Sequence, residues 1–459
     1  MKYYQPTVAQ KLIWMDQLLS GTSSKYNIGG YAWLEGSLDH AAFYDTIKNI
    51  LASQEIYSSL FGEREGQVSC CIGDAASAYS PDVMDLSGED DPEGMAMAWM
   101  ERDFAQGFEW RDNYLFRFQL LKISEGKHYW YAKVHHLISD GWSFMLLLNQ
   151  AAEIYSLLSS HTPYIPTNYL YSTYAAEDEQ YYNSPQAKQD RSFWLAEYDR
   201  WPSGLLEKCP GGGDEASTTD SYTLYLPAEK KHVLQQVANE NKVSLFQIVI
   251  GLLVIYFGRT RQQRSVAMAI PVLNRSGRIY RQTAGIFMNL LALKFDVRGE
   301  DTVAEVLAGV RQKMSASLRH QRYQYGNLLR DLNISTGHSI YDVRVSYEEF
   351  RFTSDFGNLK SGAVALSNYH ETDKLAIYLR DYNDQGFDIR FVYDTAYFDQ
   401  GMIRSLSDSL EGLIASAAII RDLPVCGIEM PGQEERQRIV QLAAGPVKER
   451  EELTFLKSW

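Results

Sequence analysis

The sequence predicts an α/β protein built as two lobes, each with its own core. A chain of 459 residues is longer than one hydrophobic core normally serves. Strand-like alternation and helical periodicity succeed one another in both halves. Between residues 162 and 213 the composition shifts to Tyr, Ser, Asn and charges, closing on Cys209-Pro210-Gly211-Gly212-Gly213. Such a stretch reads as a helical bridge followed by a loop, the boundary between lobes.

Taken in order, residues 42–53 carry apolar positions at helical spacing and residues 56–61 are strand-like. Residues 114–123 and 128–135 are two strand-like runs joined by Ser124-Glu125-Gly126-Lys127, a β-hairpin pattern. Asp140-Gly141 breaks the second run, and residues 143–158 read as a helix with Ser143 as its N-cap. The second lobe restarts with a strand near residues 222–226 and helices over 228–240 and 245–257. Strands at 266–270 and 387–393 and a helix at 401–418 follow. The tail from residue 433, rich in Glu, Arg and Gln, reads as the start of a linker. The predicted partition is therefore 1–175, 176–432 and 433–459.

Composition narrows the class. With 45% apolar and 22% charged residues, the chain is ordinary globular protein, neither disordered nor collagenous nor coiled coil. A net charge of −14 argues against a general nucleic-acid or anionic-membrane binder, while leaving room for a local basic patch. Cys70, Cys71, Cys209 and Cys426 form no CxxC pair and read as reduced thiols of a cytoplasmic protein. Adjacent Cys70 and Cys71 on a strand point to opposite faces, which suits no metal. The start, Met1-Lys2-Tyr3-Tyr4-Gln5-Pro6, lacks the apolar stretch of a signal peptide. The most apolar segment, residues 245–257, is interrupted by Gln247 and Gly251 and is too short to span a bilayer.

The segment that carries chemistry is Val134-His135-His136-Leu137-Ile138-Ser139-Asp140-Gly141-Trp142-Ser143. Two adjacent histidines at a strand end face opposite ways, so one can enter a cavity while the other packs inside. The helix that follows offers free N–H groups beside them. A neutral imidazole near backbone donors suits acyl transfer, with a base for the nucleophile and donors for a developing oxyanion. Residue types alone leave two other roles open, a structural pair and a metal site. The metal role lacks a third His or Cys nearby in sequence.

This string resembles the HHxxxDG active-site motif of the condensation-domain superfamily of non-ribosomal peptide synthetases, related to chloramphenicol acetyltransferase and carnitine acyltransferases. Further stretches are similar to that family in the same order. They are Ala9-Gln10 with Ile13-Trp14, Gln54-Glu55 with Leu60-Phe61, and Tyr171-Ser172-Thr173-Tyr174-Ala175. Then come Pro271-Val272-Leu273-Asn274-Arg275 leading to Gly285-Ile286-Phe287-Met288-Asn289, and His320-Gln321-Arg322-Tyr323. The second of these lacks the family's usual Arg-His start and Leu-Arg centre.

The resemblance implies two acetyltransferase-like lobes in a V-shaped pseudodimer, with a central tunnel that phosphopantetheine arms enter from opposite faces. It implies His136 as the imidazole that positions the attacking amine or accepts its proton, and a mainly structural His135. Asp140 is implied to form a buried ion pair with Arg275, and Gly141 to keep the backbone close to the thioester. Trp142, Ser143, Phe144, Leu147, Leu148 and Asn289 are the implied substrate and pantetheine channel. For Ser143 a simple helix cap is an equal alternative, and for Phe144, Leu147 and Leu148 ordinary core packing is.

Within the family, Tyr26-Asn27-Ile28-Gly29-Gly30-Tyr31 and residues 341–348 resemble the starter subtype, as does a first motif lying so near Met1. That subtype implies an acyl-CoA donor and an aminoacyl group on a downstream peptidyl carrier protein as acceptor. The implied setting has an adenylation domain beyond, no tightly bound cofactor or metal, and a monomeric excised domain. The alternatives are an elongation domain with a carrier-bound peptidyl donor, a free-standing acyltransferase, and a non-catalytic recruitment module of the same fold. The intact histidines, Asp140 and Gly141 speak against the last. Epimerisation lacks its further signatures, and cyclisation replaces the histidines by aspartates.

Overall fold

Side-chain oxygens at the helix starts set the frame. Thr7, Asp39, Asp140, Ser244, Thr302 and Asp399 each sit in extended backbone and accept the N–H three residues on. The fold is given by a computed structural model that describes residues 2–199, 201–202, 204–209, 218–334, 339–349, 355–366, 373–382 and 386–429. The predicted linker 433–459 and the Pro210–Gly213 loop lie outside the described residues.

The first half runs β1 (Lys2–Tyr4), α1 (Val8–Ser20), β2 (Asn27–Glu35), α2 (His40–Ser53), β3 (Ser59–Arg64) and β4 (Gln67–Ile72). It continues with α3 (Ala75–Ala78), β5 (Val83–Asp85), α4 (Pro92–Phe104), β6 (Phe116–Ser124), β7 (Lys127–His135) and α5 (Gly141–Ser159). Two helices bridge the halves, α6 (Tyr171–Tyr182) and α7 (Pro185–Glu197). Next come β8 (Thr219–Leu226), α8 (Ala228–Asn241), α9 (Leu245–Thr260), β9 (Ser265–Val272), α10 (Gly277–Arg281) and β10 (Asn289–Asp296). The chain then forms α11 (Val303–Leu318), α12 (Tyr325–Asp331), β11 (Val343–Glu349), β12 (Lys360–Ala365), β13 (Leu375–Asp381), β14 (Phe387–Asp394) and α13 (Gln400–Ser416).

These strands build a mixed α/β fold with three open sheets among the described residues, ordered β12-β2-β7-β6-β5, β10-β9-β11-β13-β14-β8 and β1-β4-β3. The apolar sides of α2 and α5 pack with the first sheet, burying Phe43, Ile47, Trp130, Leu147 and Leu148. The second sheet packs on α9, α11 and α13 around Ile248, Leu252, Val345, Leu379 and Leu410. Helix α9 is sequestered along nearly its whole length, which accounts for its continuous apolar run. Among the described residues no single helix is long and apolar enough to cross a membrane.

Two features differ from the partition read from sequence. The boundary at residue 175 falls inside α6. Strand β12, late in the chain, leaves the second lobe and pairs antiparallel with β2 of the first, from Lys360 opposite Glu35 to Ala365 opposite Gly30. Gly30 permits this approach, because a Cβ there would lie 2.1 Å from the Val364 carbonyl oxygen. The lobes are thus joined by a shared sheet as well as by chain connectivity.

Candidate active site

The β6–β7 hairpin delivers both histidines. His135 ends β7 opposite Asn27 of β2, and its side chain is buried among Tyr26, Phe108 and Gln17. The Leu137 N–H donates to His135 Nδ1 at 3.1 Å, so the ring proton sits on Nε2 and is given to Gln17 Oε1, also at 3.1 Å. Burial, aided by the neighbouring His136, pushes the His135 pKa down to about 3. His135 is a neutral strut.

His136 faces the other way and is only partly buried. Its backbone N–H is held by the Tyr26 carbonyl at 2.8 Å, and its Nδ1 lies 3.0 Å from the Ser139 carbonyl oxygen. A carbonyl only accepts, so Nδ1 carries the proton and Nε2 presents a lone pair. Burial lowers the pKa of this ring, with the Arg344 guanidinium acting in the same direction. Asp140 and the Ser139 carbonyl oppose the shift without cancelling it. The imidazole is therefore neutral across a wider pH range than an ordinary histidine.

Asp140, rather than Ser143, is the N-cap of α5. Its Oδ1 accepts from the Ser143 amide and hydroxyl, each at 2.8 Å, while its Oδ2 accepts from the Phe287 amide at 3.0 Å. Arg275 donates to both carboxylate oxygens, at 2.8 and 3.1 Å, with both side chains almost fully buried. The pairing implied for Asp140 and Arg275 is present. Burial alone would raise the Asp140 pKa, but Arg275 and the hydrogen bonds from Phe287 and Ser143 hold it below the usual carboxylate range. Arg275 also donates to the Tyr280 and Thr283 carbonyls and stacks on the Phe287 ring, 3.9 Å from its centroid. Gly285 completes this turn with φ +146°, where a Cβ would collide with the Tyr171 ring.

Several channel assignments are corrected by burial. The Ser143 side chain is sealed inside the ion-pair network, its hydroxyl bonded to Asp140, Arg275 and the Gly285 carbonyl at 2.7 Å. It has no free group for a pantetheine arm. Leu147 and Leu148 are core residues of the first lobe, each 1% exposed, because residues two turns into α5 already face the sheet. An arginine at position 148 would place a charge in that core at a large cost in stability. Asn289 is likewise a brace. Its amide donates to the Gln321 and Tyr323 carbonyls at 2.7 and 2.8 Å, and its carbonyl accepts from the Tyr325 amide.

The remaining assigned residues lie at the start of α5. Phe144 is half-buried against the first core. Trp142 is exposed and donates its indole N–H to the Arg281 carbonyl at 3.0 Å. A Cβ at Gly141 would meet no atom within 4 Å, so the fold itself leaves that space open. Among the described residues the amides of Gly141 and Trp142 have no hydrogen-bond partner, as the first turn of a helix requires.

Three glutamines hold this assembly; sequence reasoning quoted Gln10 and Gln54 only inside family-like stretches and missed Gln17. Gln10 Nε2 donates to the Leu137 carbonyl at 3.0 Å, and Gln17 meets His135. Gln54 donates to the Gln282 carbonyl and accepts from the Ala284 amide, tying the Arg275 turn to the first lobe. Their signal was three polar residues at buried positions of α1 and the end of α2. Arg344 was quoted only as part of a stretch. It lies on β11 between Val343 and Val345, both buried in the second core, and is held by Asp373 and by the Tyr378 hydroxyl. The opposite side of α1, with Val8, Lys11, Leu12 and Met15, lines a groove of about 540 Å³ shared with α6, α7 and α12. Among the described residues no three or more His, Cys, Asp or Glu are grouped to hold a metal.

Fold and site together define an acyltransferase-like protein, with a neutral imidazole and free backbone amides on one strand-to-helix turn. The condensation-domain family model matches residues 2–440, and the chain belongs to that family, whose members form amide bonds in non-ribosomal peptide synthesis. The dimodular nonribosomal peptide synthase of Bacillus subtilis (strain 168) is 25% identical over 449 residues, covering 95% of this chain. The chain spans only 18% of that protein's length. The first condensation domain of the CDA synthetase aligns with a TM-score of 0.76 at 25% identity, over 94% of this chain and 99% of that one. A variant of the starter condensation domain of rhizomide synthetase RzmA, in complex with C8-CoA, aligns with a TM-score of 0.81 at 24% identity. That match covers 94% of this chain and 98% of the other.

Proposed function

We propose that this condensation domain is of the starter subtype, transferring an acyl group from acyl-CoA to the amine of an aminoacyl group on a downstream peptidyl carrier, in the cytoplasm. The observation that carries the catalytic reading is the His136 ring, its Nδ1 proton committed to Ser139 and its Nε2 left as an acceptor. The starter reading is supported by the likeness in fold to the rhizomide starter domain with C8-CoA. Residues 26–31 and 341–348 add to that support.

In this reading the acceptor amine approaches the thioester carbonyl with one N–H directed at His136 Nε2. The C–N bond forms, the C–S bond breaks, and the amine proton passes by way of Nε2 to the departing thiolate. The Gly141 and Trp142 amides supply donors for the developing oxyanion. Gly141 leaves room for the thioester there. Asp140 and Arg275 take no part in proton transfer; they hold the turn that aims both groups. The phosphopantetheine of the carrier and CoA are substrates that bring the two reactants.

The test is intact-mass analysis of an acceptor carrier loaded with different amino acids and incubated with acyl-CoAs of several chain lengths. The proposal requires a mass gain equal to the acyl group and its loss in His136→Ala. Product formed from a carrier-bound peptidyl donor and from no acyl-CoA would assign the elongation subtype instead.

A further inference from the structure

Resting on the starter reading, we infer that Arg278 and Arg281 form the site that holds the phosphates of the donor coenzyme A, with the Trp142 indole as the platform for its adenine. The turn that buries Arg275 against Asp140 continues directly into α10, which carries both arginines one helical turn apart and on the same side. Both are exposed, and among the described residues neither guanidinium has a hydrogen-bond or ion-pair partner. The nearby carboxylate, Glu177, is engaged by the Tyr280 hydroxyl. Exposed Arg102, Arg261, Arg298 and Arg319 are likewise unpaired among the described residues; what singles out Arg278 and Arg281 is their place on the turn that meets Trp142.

Their position decides the ligand. The Arg281 carbonyl accepts from the Trp142 indole N–H, and Trp142 directly follows Gly141, where the fold leaves open space beside the catalytic motif. The apolar side chains of Leu273 and Ile279 are exposed on the same turn. A flat indole, an apolar rim and two planar cations suit a ligand carrying a purine and several phosphates. A carrier arm brings a single phosphodiester and no base. The 3′-phosphate and diphosphate of coenzyme A bring multiple anionic groups and an adenine, on an arm that ends in the reacting thioester.

The experiment compares the native domain with Arg278→Gln/Arg281→Gln, using one acyl group presented either on CoA or on pantetheine without the nucleotide. The inference requires a KM for acyl-CoA raised about tenfold, with kcat preserved and the KM for acyl-pantetheine unchanged. Adenosine 3′,5′-bisphosphate should compete with acyl-CoA in the native domain and lose that competition in the variant, with Arg278→Lys/Arg281→Lys restoring part of it. Equal KM values in native and variant, or the same rise with acyl-pantetheine, would overturn the site. A native domain that ignores every acyl-CoA would instead overturn the starter reading. Use of acyl-CoA with unchanged variant kinetics would remove only the arginine site. Coincident urea unfolding curves for native and variant exclude a folding effect, since both arginines are exposed.

Discussion

The same local design occurs twice in this chain, once with the histidine pair and once without it. In the first lobe the β6–β7 hairpin runs into α5, and in the second the β13–β14 hairpin runs into α13. The helix is capped in each by an aspartate, the fifth residue after the strand, Asp140 in one and Asp399 in the other. Both accept an amide three residues on, at 2.8 Å. Asp399 is exposed, whereas Asp140 is buried, paired with Arg275 and hydrogen-bonded to Phe287. Where the first unit has His135 and His136, the second has Asp394 and Thr395. A capping oxygen is the one element the two junctions share; the burial, the arginine from the other lobe and the imidazole are found at the first alone.

Removing each cap sharpens that contrast most. Asp140→Ala leaves Arg275 charged and buried, and should cost about 3–5 kcal/mol in urea unfolding. Asp399→Ala should cost only about 1 kcal/mol, the worth of an exposed cap. Equal losses would mean that the two junctions are energetically alike. The double variant Asp140→Ala/Arg275→Ala should lose less than the sum of its singles, because no charge is left alone.

Removing the imidazole separates function from folding. His136→Ala should lower the acylation rate by about 10²–10⁴-fold and leave the unfolding midpoint nearly unchanged. Thr395→Ala, at the matching place in the second unit, should change neither.

Acid should distinguish the two junctions through His135. Its folded pKa, near 3, lies below the ordinary value of 6.5, so between these the unfolded chain takes up a proton that the folded chain refuses. Stability is then complete above about pH 6.5 and falls with pH below it, by about 2 kcal/mol at pH 5 from this ring alone. His135→Gln should flatten that dependence. For His136 the lowered pKa shifts the acid limb of the rate profile below the range of a free imidazole; a limb at or above that range would contradict the neutral ring.

The smallest effect on stability belongs to Gly141→Ala. With open space around its Cβ, the substitution should leave the unfolding midpoint unchanged or slightly raised while lowering kcat/KM. Unchanged kcat/KM would show that no thioester passes close to this backbone.

Much of the site was legible because it rests on local pattern. The hairpin, the strand end at His135 and the turn at Asp140-Gly141 follow from alternation and turn chemistry. The resemblance supplied the partner Arg275, which spacing could never give. Depth was not legible. Leu147 and Leu148 share a helix side with Phe144, yet periodicity says which residues align and nothing of what lies beyond them. Ser143 looked like the cap because it precedes the apolar run, but Asp140 reaches its amide and begins the helix two residues earlier. Strand β12 was missed altogether. Its run Lys-Ser-Gly-Ala-Val-Ala is short and small-residued, and its partner β2 lies more than 300 residues away in the chain. Non-local pairing leaves no trace in a sliding window.

That borrowed strand has a practical outcome for anyone dissecting the molecule. A fragment ending before residue 360 strips β2 of its neighbour and bares a row of amides and carbonyls along one flank of the first sheet. Such a margin is adhesive toward copies of itself. The amino-terminal half produced alone should self-associate, and supplying a peptide of residues 355–366 in trans should return it to a single species in sedimentation.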